Sequence, residues 1–152
     1  MKQRALTLIE LMIVMSVLAS LAAIVIPTVS SAQDEAKVNA TIADLAAMNK
    51  AFRLYHQDHD SWPANAKPEI LPVGMEPYLP ADAFSSAPAI GGQYDYAPAL
   101  DRPKVLIRII SSQVNEDLPV WEEIDHRIDD GDLSMGSVYR ISNNLAYMVA
   151  PE

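Results

Sequence analysis

Residues Leu6 to Val29 form a run of 24 residues with a single charge, Glu10. As a helix such a run is about 36 Å long, enough to cross a hydrocarbon core of about 30 Å. Lys2 and Arg4 precede it, and bases on that side predict an N-terminus that stays in the cytoplasm. A secretory signal peptide is one reading, with Leu18-Ala19-Ser20-Leu21-Ala22-Ala23 offering small residues for cleavage. Yet the run continues through Ile24-Val25-Ile26, longer than the usual core of such a peptide, and a glutamate inside it is out of place. A plain membrane anchor is a second reading. It leaves Glu10 unexplained, because a carboxylate in this region costs about 2–3 kcal/mol unless neutralised or paired.

The rest of the chain is different material. All five glycines lie after residue 73, and eight of the eleven prolines fall between Pro63 and Pro103. With 152 residues there is room for one domain with a real core. The absence of cysteine removes disulfides, thiolate metal sites and cysteine nucleophiles. A net charge of −9 argues against a sequence-independent grip on nucleic acid.

No glycine or proline interrupts Thr28 to Trp62. Apolar residues recur at Val38, Ile42, Leu45, Met48, Phe52 and Tyr55, which is one face of an amphipathic helix. Asn39, Asp44, Lys50 and Arg53 fall mostly off that face. The expectation is one helix from Leu6 to about His59, roughly 80 Å long, with Pro27 kinking or loosening it. Pro63 ends it. His56 and His59 could meet as metal ligands, but two solvated histidines at a helix C-terminus are the simpler reading.

Beyond Pro63 the reading is a loop-rich, packed stretch anchored by Trp62, Tyr78, Phe84, Tyr94 and Tyr96. A turn at Gly91-Gly92 leads into a strand. Lys104–Ile110 is the best strand in the chain, with Arg108 on its less buried face. Asn115–Asp130 reads as a helix, with Pro119 in its first turn, Glu122 and Glu123 near its positive end, an apolar stripe of Trp121, Ile124 and Ile128, and Gly131 as C-terminal cap. Ser137–Ile141 and Leu145–Val149 read as a hairpin around Asn143-Asn144. Glu122 with Asp125 or Asp129 could suggest acid–base chemistry, but no histidine, phosphate loop or nucleophile elbow accompanies them, so they read as solvated. No enzyme activity is expected.

Arg4-Ala5-Leu6-Thr7-Leu8-Ile9-Glu10-Leu11-Met12 resembles the processing site of the type IV pilin and type II secretion pseudopilin family. A cut between Ala5 and Leu6 places Glu10 fifth and Pro27 twenty-second in the mature chain, as in many members. Ala5 stands where glycine is usual and Leu6 where phenylalanine is. Tyr55, Asp58, Trp62 and Pro63 match the stretch that closes the long helix in major pseudopilins, with Asp60 where glycine is common. The resemblance implies an α+β pilin-like fold: a long N-terminal helix, transmembrane in its first half, packed on a small antiparallel sheet. It divides the chain into a leader (1–5), a transmembrane or filament-core helix (6–29), an amphipathic helix (30–62) and a loop-rich β head (63–152).

It also implies a prepilin cut by a prepilin peptidase, methylated at Leu6 and assembled on an inner-membrane platform with other pilin-like subunits. Leu6, Glu10 and Pro27 are the assembly residues it carries over. The Leu6 amine of one subunit would meet the Glu10 carboxylate of its neighbour, and one polar pair in an apolar seam fixes register. The implied location is the inner membrane, crossed once, with a cytoplasmic N-terminus and a periplasmic head, the filament lying in the periplasm or outside the cell. Absence of cysteine leans toward a pseudopilus over a pilus. Major pseudopilins bind calcium in a C-terminal loop, so Asp129, Asp130 and Asp132 are candidate ligands. Eight acids against one base, Arg127, between Glu116 and Asp132 also fit a solvated acidic turn. No other cofactor is implied. The rival class is a monomeric membrane-anchored binding domain presenting Trp62, Tyr78 and the other tyrosines to a ligand.

Overall fold

The structure is a computed structural model that describes residues 7–98 and 105–149, with side chains at 24–30 and 114–116 outside the description. The chain falls into two compact units, residues 1–36 and 37–152. Helix α1 (Leu8–His59) contributes to both. The backbone is helical through Pro27, whose side chain lies outside the described set. Lys104, the expected start of a strand, lies outside it too.

Within residues 37–152, α1 buries the stripe read from its spacing. Val38, Leu45, Met48 and Phe52 are buried, and Ile42 and Tyr55 pack against the same core. Strands β1 (Gln93–Pro98), β2 (Val105–Ile110), β3 (Val138–Ile141) and β4 (Asn144–Val149) form one antiparallel sheet in the order β1-β2-β4-β3. Alternation along each strand sends Tyr94, Tyr96, Val105, Ile107, Ile109, Leu145 and Val149 into the core. The other face holds Asp95 opposite Arg108, where register makes them direct partners. Arg108 donates from Nε to Asp95 Oδ2 at 2.8 Å.

The proline-rich stretch packs as expected: Pro63, Pro72, Met75, Leu79, Phe84 and Pro88 are buried along it. Phe52 stacks on Tyr96 with centroids 4.7 Å apart and meets Phe84 edge-on at 6.2 Å. Asp60 adopts φ +50, so the position where glycine is common does need a left-handed residue, and aspartate supplies it.

Helix α2 spans Val114–Ile128, and two details differ from the sequence reading. Pro119 is the helix's sixth residue, inside it, because the chain turns earlier: Gln113 N donates to Ser111 Oγ at 2.9 Å, and Ser111 Oγ bonds Asp117. Glu122 and Glu123 consequently sit mid-helix, and Glu123 accepts from Arg127 at 2.7 Å. The C-cap is Asp129, whose amide donates to the Asp125 carbonyl at 2.6 Å, while Gly131 takes φ +87 two residues further on. The β3–β4 loop is Ser142-Asn143, one residue earlier than read, since Ile141 pairs Asn144. Its positive φ is at Ser142, the first loop residue, as in a II′ turn.

Phe52→Ala should lower stability by about 3–5 kcal/mol, because it opens a cavity under the sheet. Leu54→Ala, two residues away at an exposed position, should change it by less than about 1 kcal/mol. Thermal melts of the two variants in detergent check this pair.

Candidate functional site

Among the described residues two places carry unusual chemistry. The first is the start of α1. Thr7 is its N-cap, and its carbonyl accepts from the Leu11 amide at 3.3 Å. The Thr7 amide and hydroxyl both donate to Glu10 Oε2, at 2.8 and 2.7 Å, and the Glu10 amide donates back to Thr7 Oγ1 at 3.4 Å. This is a capping box, in which threonine and glutamate three apart satisfy each other's free groups. Both carboxylate bonds fall on Oε2. Glu10 therefore has a structural role within its own chain, which the sequence reading missed although Thr-x-x-Glu before an apolar run signals it.

Behind that cap every side chain from Thr7 to Ala23 is exposed. Leu8 is 78% exposed and even Leu11 is 53% exposed. The helix is apolar around its whole circumference, so no single packed face can hide it. Among the described residues no helix is long and apolar enough to cross a membrane. The run expected to do so, 6–29, includes Leu6 and the side chains of 24–29, which lie outside the described set, as does the cleavage residue Ala5.

The second place is the corner between α2 and β3. Oxygens of Asp125, Asp129 and Asp130 lie within 4.8 Å of one another. Asp132, the third candidate from the sequence, is used differently: its Oδ1 accepts the Ser134 amide at 3.0 Å, and the Ser134 hydroxyl first, then that amide, hold its carboxyl below the ordinary value. Asp125, read from sequence as solvated, is fully buried beside Trp121 and Ile124. Among the described residues no side chain donates to either of its carboxylate oxygens. Burial, then the charges of Asp130, Asp129 and Asp132, push its pKa up, and the approaching Gly131 amide offsets part of that. The signal was legible. Position 125 is one turn past Trp121, on the apolar stripe.

The aromatic residues that a ligand-presenting head would display are used internally. Tyr94 and Tyr96 are buried, Tyr94 donating to Asp44 at 3.1 Å and Tyr96 to the Pro63 carbonyl at 3.0 Å. Burial raises the pKa of both phenols. Tyr78 donates to Asp58 at 2.6 Å. Trp62 packs edge-on against His56 with centroids 4.3 Å apart, and His59 stacks on Tyr55 at 4.2 Å. The two histidines thus face aromatic partners.

Comparison with known proteins places these features. Residues 1–26 match the family described as the prokaryotic N-terminal methylation motif. A protein of Pseudomonas aeruginosa named type II secretion system core protein G is 40% identical over 63 residues, covering 41% of this chain and 44% of that protein. One of the same name from Klebsiella michiganensis is 28% identical over 90 residues, covering 54% and 62%. The chain thus spans about half the length of the relatives it matches. The major type IV pilin PilA1 from Clostridium difficile has the same fold, with a TM-score of 0.51 and 16% identity over 77% of this chain and 96% of that one. These findings bear out the resemblance to pilins and pseudopilins, and the α+β fold of a long N-terminal helix with a four-stranded antiparallel sheet.

Thr7→Val keeps the shape of the cap and deletes its hydroxyl bonds. The loss of about 1 kcal/mol should speed hydrogen exchange of the first-turn amides about fivefold, while Thr7→Ser leaves it near wild type.

Proposed function

We propose that the chain is a structural subunit, not an enzyme, of a type II secretion pseudopilus or a type IV pilus-like filament. It is made as a precursor, cut between Ala5 and Leu6 by a prepilin peptidase, methylated on Leu6, and assembled through α1 on an inner-membrane platform with other pilin-like subunits. The single observation that carries this reading is the bare apolar helix behind the Thr7–Glu10 cap. A soluble monomer rarely exposes so large an apolar surface. Lipid covers it before assembly, with residues 6–29 crossing the inner membrane once and the head outside the cytoplasm. Neighbouring helices cover it afterwards. The relatives' names and the absence of cysteine favour the pseudopilus.

Glu10 has two tasks in this account. Oε2 closes its own helix cap, and Oε1 remains for the Leu6 amine of a neighbouring subunit. Each is a partner for a group that is costly to leave alone in an apolar seam. The pair fixes the axial register of one helix against the next.

Mass spectrometry of the native protein should find an N-terminus at methylated Leu6. An intact Met1, or a start at Ile24 after cleavage behind Ala23, contradicts the pilin reading.

Glu10→Ala should leave processing and insertion intact but remove filaments from sheared preparations seen by electron microscopy. An unpartnered amine buried at every added subunit costs about 3–5 kcal/mol. Glu10→Gln keeps the capping box and should be equally or less defective. Wild-type filament yield from Glu10→Ala, with normal amounts of processed subunit, shows that the pair does not drive assembly.

A further inference from the structure

We propose that an outward groove on α1 receives the acidic end of α2 and the loop after it from a second copy of this chain. The inference rests on the filament reading and adds to it a contact between heads. The groove has a volume of about 640 Å³, and Lys50, Arg53, Leu54, His56, Gln57 and Asp60 are among the residues that line it. In a chain with 20 acids and 11 bases, two of the bases and a histidine converge here. Arg53 is half-buried, and Asn49 beside it donates to the Tyr147 hydroxyl of β4 at 3.0 Å. The Arg53 charge acts on the same phenol, offsetting part of the rise in pKa that burial causes. The cationic wall is thus held against the sheet before anything binds, so little side-chain freedom is left to lose.

The complementary surface lies on the same head. Glu122, Asp129, Asp130 and Asp132 are exposed on the last turns of α2 and just beyond them. Met135, in the loop that follows, is 63% exposed, and Leu54 in the groove is 41% exposed. An apolar pair ringed by charges of opposite sign is the pattern of a protein contact, with a dry centre and a polar rim. A small anion would match the bases of the groove but leave Leu54 uncovered. Asp60 also lines the groove, so acids are drawn to its Lys50–Arg53 end.

The two surfaces are offset along α1. Arg127 bonds Asn39, which sets the end of α2 beside position 39. Asn39, Lys50, Arg53 and Gln57 lie on one side of the helix, and Arg53 is 14 residues beyond Asn39, about 21 Å along the axis. Acid and base therefore sit on the same side at different levels, and a copy shifted along that axis brings one to the other. Such a contact joins unlike surfaces. Each copy can take part in two of them, and the series stays open, whereas a closed dimer needs a surface that matches itself.

The chain has no cysteine, so Leu54→Cys and Met135→Cys together report the contact. Mild oxidation of sheared filaments of the double variant should give a ladder of dimers, trimers and larger species on a denaturing gel. Each single variant should stay monomeric. Lys50→Glu should lower filament yield about tenfold, because like charges then face each other in every contact. Asp130→Lys added to it should restore most of the yield. Both positions are exposed, so processed subunit should be as abundant as in wild type. If the double cysteine variant makes no filaments, the yields of the charge variants decide. No ladder from its filaments, or a Lys50→Glu yield equal to wild type, overturns the contact while the filament reading stands. Absence of filaments from wild type as well removes that reading, and the contact with it.

Discussion

Helix α1 has to satisfy two environments with one uninterrupted backbone, and the rest of the structure follows from how it does so. From Val38 to Tyr55 its apolar residues keep to one stripe, so that half can be covered by a sheet. From Leu8 to Leu21 they go all round and are exposed on every side. The first pattern ends in a protein core that Phe52, Tyr96 and Phe84 fill with ring contacts. The second needs lipid or other helices.

The polar groups in these two halves answer the same question in different ways. Near the start, Glu10 is a carboxylate in an apolar helix, and the capping box gives it local donors from Thr7. In the head, Asp95 is buried on the outer face of the sheet and is held by Arg108 from the neighbouring strand. Asp44 accepts from the Tyr94 hydroxyl. Among the described residues Asp125 has no side-chain donor, only the approaching Gly131 amide, and that sets it apart from the acidic surface around it.

Much of this could be read before any coordinates. The spacing from Val38 to Tyr55 gives the buried face of α1, because a helix repeats every 3.6 residues and the sheet covers only one side. The β-branched run of β2 and its alternation are equally plain. What failed were features fixed by contacts across sequence. The start of α2 depends on Ser111 meeting Asp117, so Pro119 could not be placed from turn preferences alone. The β3–β4 loop depends on the pairing of Val138 with Tyr147, so Asn143-Asn144 misled by one residue. Acids usually mark solvent, yet the place of Asp125 one turn after Trp121 sets it on the buried face.

The central claim is that the bare helix behind Glu10 is covered in the cell. The chain has no cysteine, so single cysteines at Ile13, Val17 and Leu21 can be compared with one at Val73, which is 81% exposed in the head. A membrane-impermeant, water-soluble maleimide applied to membranes opened on both faces, and to sheared filaments, reports cover directly. The account predicts rapid labelling at Val73 and almost none at the three helix positions in either preparation. Labelling of Ile13, Val17 and Leu21 at the rate of Val73 would mean that water reaches this helix, and would contradict the account.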